Sequence, residues 1–161
     1  HIPLLLSGRP LGLSQPSNRV CSAVVELRDL LPTCLDLASR PVPARVDGQS
    51  LLPLALSRKP SVRPWLHGEH AAGALSNQWI VTETEKYAWF SQSGRELYFR
   101  LDEDPHELHN RADDAACAAR VSSLRSALIQ SLAGREEGYT DGARLIPGRT
   151  PQAVLANAQL P

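Results

Sequence analysis

The run "NQWIVTETEKYAWFSQSGRELYFRLD", residues 77–102, holds three short apolar segments separated by two polar breaks. Trp79 and Val81 share one face of the first segment, Tyr87 and Trp89 one face of the second, and Leu97, Phe99 and Leu101 one face of the third. Alternation with a period of two marks half-buried strands. "TETE" and "SQSGR" are of hairpin length, and Gly94 in the second tolerates a positive φ. The run predicts a three-stranded antiparallel meander. "WLHGEH", residues 65–70, lies just before it and predicts a fourth strand.

Working downstream, "LDEDPHELHN", residues 101–110, carries Asp104, Pro105 and Glu107 at the spacing of an N-cap, N1 and N3. That is a helix start of the capping-box type. The stretch is expected to turn the chain from the last strand into a short helix, with His106 and His109 three apart on its surface and no third metal ligand close by. From Asp113 to Ala133, a stripe of Ala116, Ala119, Val121, Leu124, Leu128, Ile129 and Leu132 predicts a longer helix ending at Gly134. Such a helix can cover one face of the sheet. Beyond Gly138, Gly and Pro recur at short intervals, so residues 139–161 read as an extended tail.

Upstream, "HIPLLLSG", residues 1–8, reads as a buried strand ending in a loop. A buried strand needs neighbours on both sides, and the sequence just after it offers none. The chain is therefore expected to be the C-terminal piece of something longer. "ELRDLLPTCLDLAS", residues 26–39, repeats Leu27, Leu30, Leu31, Cys34, Leu35 and Ala38 at helical spacing. Pro32 either kinks that helix or moves its regular part to near Leu31. "QSLLPLAL" predicts at most a helical turn, and "SRKPSVRP", residues 57–64, a basic proline-rich linker.

Bulk properties narrow the classes. The chain has 161 residues, enough for one domain with a core. Its 17 basic and 17 acidic residues cancel, which argues against a nucleic-acid footprint or a polybasic membrane surface. No apolar run approaches the roughly 20 residues a bilayer requires. Cys21, Cys34 and Cys117 form no C-x-x-C pair and read as buried, inert thiols.

His67, Glu69 and His70 form the densest group of reactive side chains. On a regular strand His67 and Glu69 face one way and His70 the other, so the three do not converge on one metal ion. The spacing is also not that of the HExxH zinc motif. Two readings stay open: a solvated sheet edge, or the rim of a substrate pocket.

In this order the segments resemble the sulfatase family, of the arylsulfatase type. The blocks are "HIPLLLSG"; "VVELRDLLPTCLDLAS" with a loop ending "VDGQSLLPL"; and "GRELYFRLDEDPHELHNRAD". Together they cover most of residues 1–140. The resemblance implies an α+β chain: the last part of an alkaline-phosphatase-like α/β fold, with a small four-stranded antiparallel sheet packed on a C-terminal helix. It divides the chain into residues 1–60 (end of the α/β domain), 61–138 (the sheet subdomain and its helix) and 139–161 (the tail). It implies a parent enzyme that hydrolyses sulfate esters. The nucleophile would be a formylglycine made from the first residue of a C-x-P-x-R motif or its Ser variant, beside a calcium ion held by Asp and Asn.

Neither part is found here. Cys21 and Cys34 lack a proline two residues on. In "SQPSNR", residues 14–19, Ser14 and Pro16 fit the Ser variant, but Asn18 stands where arginine is required. The catalytic set is expected upstream of His1, with His67, Glu69 and His70 left as candidate substrate contacts. Two further readings are a non-catalytic binding module and the C-terminal part of a related phosphatase or phosphonate hydrolase.

Overall fold

The computed structural model describes residues 4–7, 20–56, 58–70 and 73–151. The chain separates into two compact units, His1–Leu66 and His67–Pro161.

The first unit is organised by a buried carboxylate. A 3₁₀ turn, Leu27–Asp29, leads into helix α1, Leu30–Leu37. Pro32 sits in the first turn of α1, where its missing N–H has no intrahelical partner to lose. The helix therefore starts without a kink. Asp29 is fully buried. It accepts from the backbone N–H of Glu26 (2.9 Å) and of Gln49 (2.8 Å), and both terminal nitrogens of Arg63 donate to it. One turn on, Thr33 donates to the Asp29 carbonyl (2.6 Å) and accepts from Leu51 N–H (2.9 Å). Gly48 passes so close that a Cβ there would overlap the Arg28 carbonyl. These bonds seat the short helix α2, Leu52–Ala55, and draw Arg63 out of what reads in sequence as a linker.

Two expectations fail in this unit. The apolar stripe of α1 points outward: Leu27, Leu30, Leu31 and Leu37 are 64%, 40%, 55% and 43% exposed, while Pro32 and Thr33 are buried. Cys34 lies on the same outward stripe and Cys21 is also exposed, so only Cys117 is a buried thiol. The N-terminal segment is a separate case, since the strand expected there has no neighbours in this chain, and its described part is unpaired. Residues 4–7 form no ladder, and Leu5 is 88% exposed. A buried strand requires partners on both sides, and no described residue supplies them. The "SQPSNR" stretch lies outside the described residues.

The second unit is a four-stranded antiparallel sheet in the order β1-β2-β3-β4: β1 Leu66–His70, β2 Asn77–Val81, β3 Glu85–Phe90 and β4 Glu96–Arg100. Register places Trp79 opposite Ala88 and Ala88 opposite Leu97, on one face. Ile80, Tyr87 and Tyr98 line up on the other, where they are almost fully buried. Helix α3, Ala118–Leu132, covers that second face with Val121, Leu124, Leu128 and Leu132. Its rim is tied by Arg125 to Glu96 and by Arg120 to Glu85. Asp114 caps the 3₁₀ turn Ala115–Cys117 that leads into α3, accepting from Ala116 N–H (2.9 Å). Gly134, at φ 75°, occupies the third position of a turn closed by Arg135 N–H on the Leu132 carbonyl (3.3 Å).

The "LDEDPHELHN" stretch does not form a helix. Asp104 accepts from the N–H groups of Leu108 (3.1 Å) and His109 (2.8 Å), and Glu107 takes a φ of 56° and salt-bridges Lys86 at 2.7 Å. Leu108 is 73% exposed, so no apolar face exists to stabilise a helix this short. The loop instead closes the outer edge of β4. Asn110 Oδ1 accepts from Tyr98 N–H (2.9 Å), and Arg111 N–H donates to the Tyr98 carbonyl (2.9 Å). Residues 139–151, read as extended tail, fold back instead. Tyr139 is buried edge-on against Trp89 at 5.7 Å, and Gly148 N–H reaches the Ser91 carbonyl (2.8 Å).

Candidate functional site

β1 is short, and every side chain on it has a distinct setting. His67 Nε2 donates to Gln78 Oε1 at 2.8 Å. Glu69 accepts from Arg135 at 2.8 Å, and Arg135 also holds Glu137 at 2.6 Å. Burial alone would raise the Glu137 pKa, but the Arg135 bonds outweigh it and hold the carboxyl below its ordinary value. Arg135 is pushed up in turn, first by its bond to Glu137. His67 and Glu69 thus lie toward the side where the residues after α3 return, in a polar cluster that is largely paired. Gln78 is 1% exposed, and its Nε2 has no hydrogen-bond partner.

His70 is separate from that cluster. It is exposed and shares the opposite face of β1 with Gly68. Of the three site residues read from sequence, the fold therefore keeps His67 and Glu69 on one face, the first bonded to Gln78 and the second to Arg135, and leaves His70 apart. Gln78, Arg135 and Glu137 were not anticipated. Arg135 and Glu137 lie some 65 residues downstream of β1, and nothing in the spacing signals their return to the strand.

A concavity of about 380 Å³ opens between Thr84, Tyr98, Arg100, Asp102 and Arg120. Its charges are already matched. Tyr98 donates to Glu85 (2.5 Å), Arg120 pairs with Glu85, and Arg100 pairs with Asp102 (3.2 Å) and Glu103 (2.5 Å). The Arg120 bond is the main reason the Glu85 pKa is lowered. His106 and His109 have no metal-site companion either, and His109 is 80% exposed beside Asp104. Among the described residues no three His, Cys, Asp or Glu side chains come together as a metal ion would need. These residues therefore do not fit the calcium ion implied by the sequence resemblance, and no formylglycine precursor motif occurs in the chain.

No family model matches the chain. It is 46% identical over 136 residues to an arylsulfatase of Clostridium perfringens (strain 13 / Type A), covering 84% of this chain and 28% of that protein. It is 32% identical over 143 residues to arylsulfatase K of Bos taurus, covering 82% of this chain and 25% of that protein. A solved 2-O GAG sulfatase superposes with a TM-score of 0.61 at 23% identity, over 82% of this chain and 32% of its own. The fold is thus a portion of the sulfatase and alkaline-phosphatase architecture, with its antiparallel sheet and helices. The chain belongs to the sulfatase family, as part of a sulfatase-family protein. It spans about a quarter of the length of the curated relatives it matches.

Proposed function

We propose that this chain is the C-terminal part of an enzyme that hydrolyses sulfate esters, and that it completes and covers the catalytic body without holding the catalytic groups. The observation that carries this is the outward apolar stripe of α1. Three leucines between 40% and 55% exposed on one short helix, with Leu27 at 64% in the turn before it, are costly in water. The remainder of a sulfatase is the surface that would cover them. The 46% identity to an arylsulfatase supports sulfate esters as the substrate class.

In this reading formylglycine and calcium belong to the body of the parent enzyme, and the chain contributes part of the pocket rim through β1. His70 is outward and unencumbered, so it makes the direct contact. His67 and Glu69 act through Gln78 and Arg135, which fix where β1 ends. Intact enzyme carrying His70→Ala should lose about tenfold or more in kcat/KM, the loss of one charge-assisted hydrogen bond. Wild-type kcat/KM in that variant, with an aryl and a sugar sulfate alike, removes His70 from the pocket.

A further inference from the structure

Trp79 lies on the backbone of β1. A Cβ at Gly68 would overlap the indole at Cε2, Cζ2 and Nε1 together, so the ring meets the strand with its face rather than its edge. Glycine weakens a strand, and in a strand interior it marks a place where another group approaches closely. Here that group is the indole, and Trp79 remains half-buried.

The surroundings leave this face of the β1–β2 pair distinct. Helix α3 ties to Glu85 and Glu96, on the face opposite Trp79. On the Trp79 face the 101–112 loop meets β3 at Lys86, through Glu107 (2.7 Å), and Ala88 and Phe99 are buried, whereas Trp79 itself is half-buried. His70 follows Gly68 by two residues, so its exposed imidazole shares the indole's face.

We propose that Trp79 and His70 form a stacking subsite for the six-membered ring of a sulfate ester. This rests on the sulfate-ester reading above. A flat indole face takes either an aryl ring or the C–H face of a pyranose, because both present polarised hydrogens or π density at stacking distance. An imidazole beside it donates to a ring hydroxyl or to a sulfate oxygen. An acyclic alkyl sulfate gains nothing from the indole, which makes Trp79 a specificity residue rather than a catalytic one.

The test uses the intact protein that contains this chain, labelled with ¹⁵N-tryptophan. The Trp79 indole signal is assigned by its loss in Trp79→Phe. Phenyl sulfate, methyl glucopyranoside 6-sulfate and ethyl sulfate are titrated separately. The subsite predicts a saturable shift of that signal with at least one ring ester and none with ethyl sulfate, and the two ring arms tell aryl from pyranose. Trp79→Ala should lower kcat/KM for the matching ring ester about three- to tenfold. Ethyl sulfate should be unaffected, and Trp79→Phe should recover most of the loss. An equal fall for all three esters makes Trp79 a packing residue covered by the enzyme body and overturns the proposal. Normal turnover with an unresponsive indole signal also overturns it, while leaving the sulfatase reading in place. A ring ester that shifts the indole but is never hydrolysed defeats the sulfatase reading and keeps the subsite.

Discussion

Asp29 shows how much one residue can organise. It sits in a stretch whose leucines suggest an ordinary amphipathic helix, yet it is the carboxylate that is buried and the leucines that are exposed. Burial alone would raise its pKa. The bonds from Arg63, Gln49 N–H and Glu26 N–H outweigh that and hold it below the ordinary value. A depressed pKa of this kind adds stability that is complete above the unfolded-state value of about 4 and is lost as pH falls through the folded one. Asp29→Ala leaves Arg63 buried without its partner and should cost about 3–5 kcal/mol. Denaturant midpoints measure it. The difference from Asp29→Asn should shrink once the pH drops below about 4, and a pH-independent difference would show that the charge is not what matters. Gly68→Ala should destabilise by about 1–3 kcal/mol, since the indole above it must move. An unchanged midpoint with an unchanged Trp79 environment would mean the indole is not seated there.

At the scale of elements, the 101–112 loop does what helices and strands usually do. It closes an open sheet edge with one asparagine side chain and one backbone amide. Asn110→Ala should therefore cost about 1–2 kcal/mol, because it strands the Tyr98 N–H. Hydrogen exchange at Tyr98 should speed up with it, and exchange as slow as wild type would show the edge is closed by other means. Helix α1 makes the opposite case, being an element without cover. Leu30→Asp with Leu31→Asp should leave the isolated chain no less soluble, yet prevent the intact enzyme from accumulating as a folded protein. Normal yield and melting temperature of the intact double variant would mean the stripe faces solvent throughout.

Across the whole molecule, the sheet was legible from sequence because period-two alternation and hairpin-length breaks are local signals. α3 was legible for the same reason, although Ala116 and Ala119 turn out exposed while Cys117 is buried. What stayed hidden depends on distance along the chain. Arg63 reaches back to Asp29, Arg135 to Glu69, and Asn110 to Tyr98, and no spacing rule connects those pairs. The helix expected at Asp104 failed for a related reason. A capping box sets a start, but Leu108 alone gives a helix nothing to bury. At the site, the opposed faces of His67 and His70 followed from alternation, whereas the partners that fix His67 and Glu69 did not.

The central claim is that this chain serves a sulfatase without carrying its chemistry. Turnover of 4-nitrophenyl sulfate measures it most directly, with the chain alone and the intact protein assayed side by side in calcium. The account predicts hydrolysis by the intact protein and none by the chain alone. Hydrolysis by the chain alone, or an intact protein that cleaves a phosphonate monoester but no sulfate ester, would contradict it.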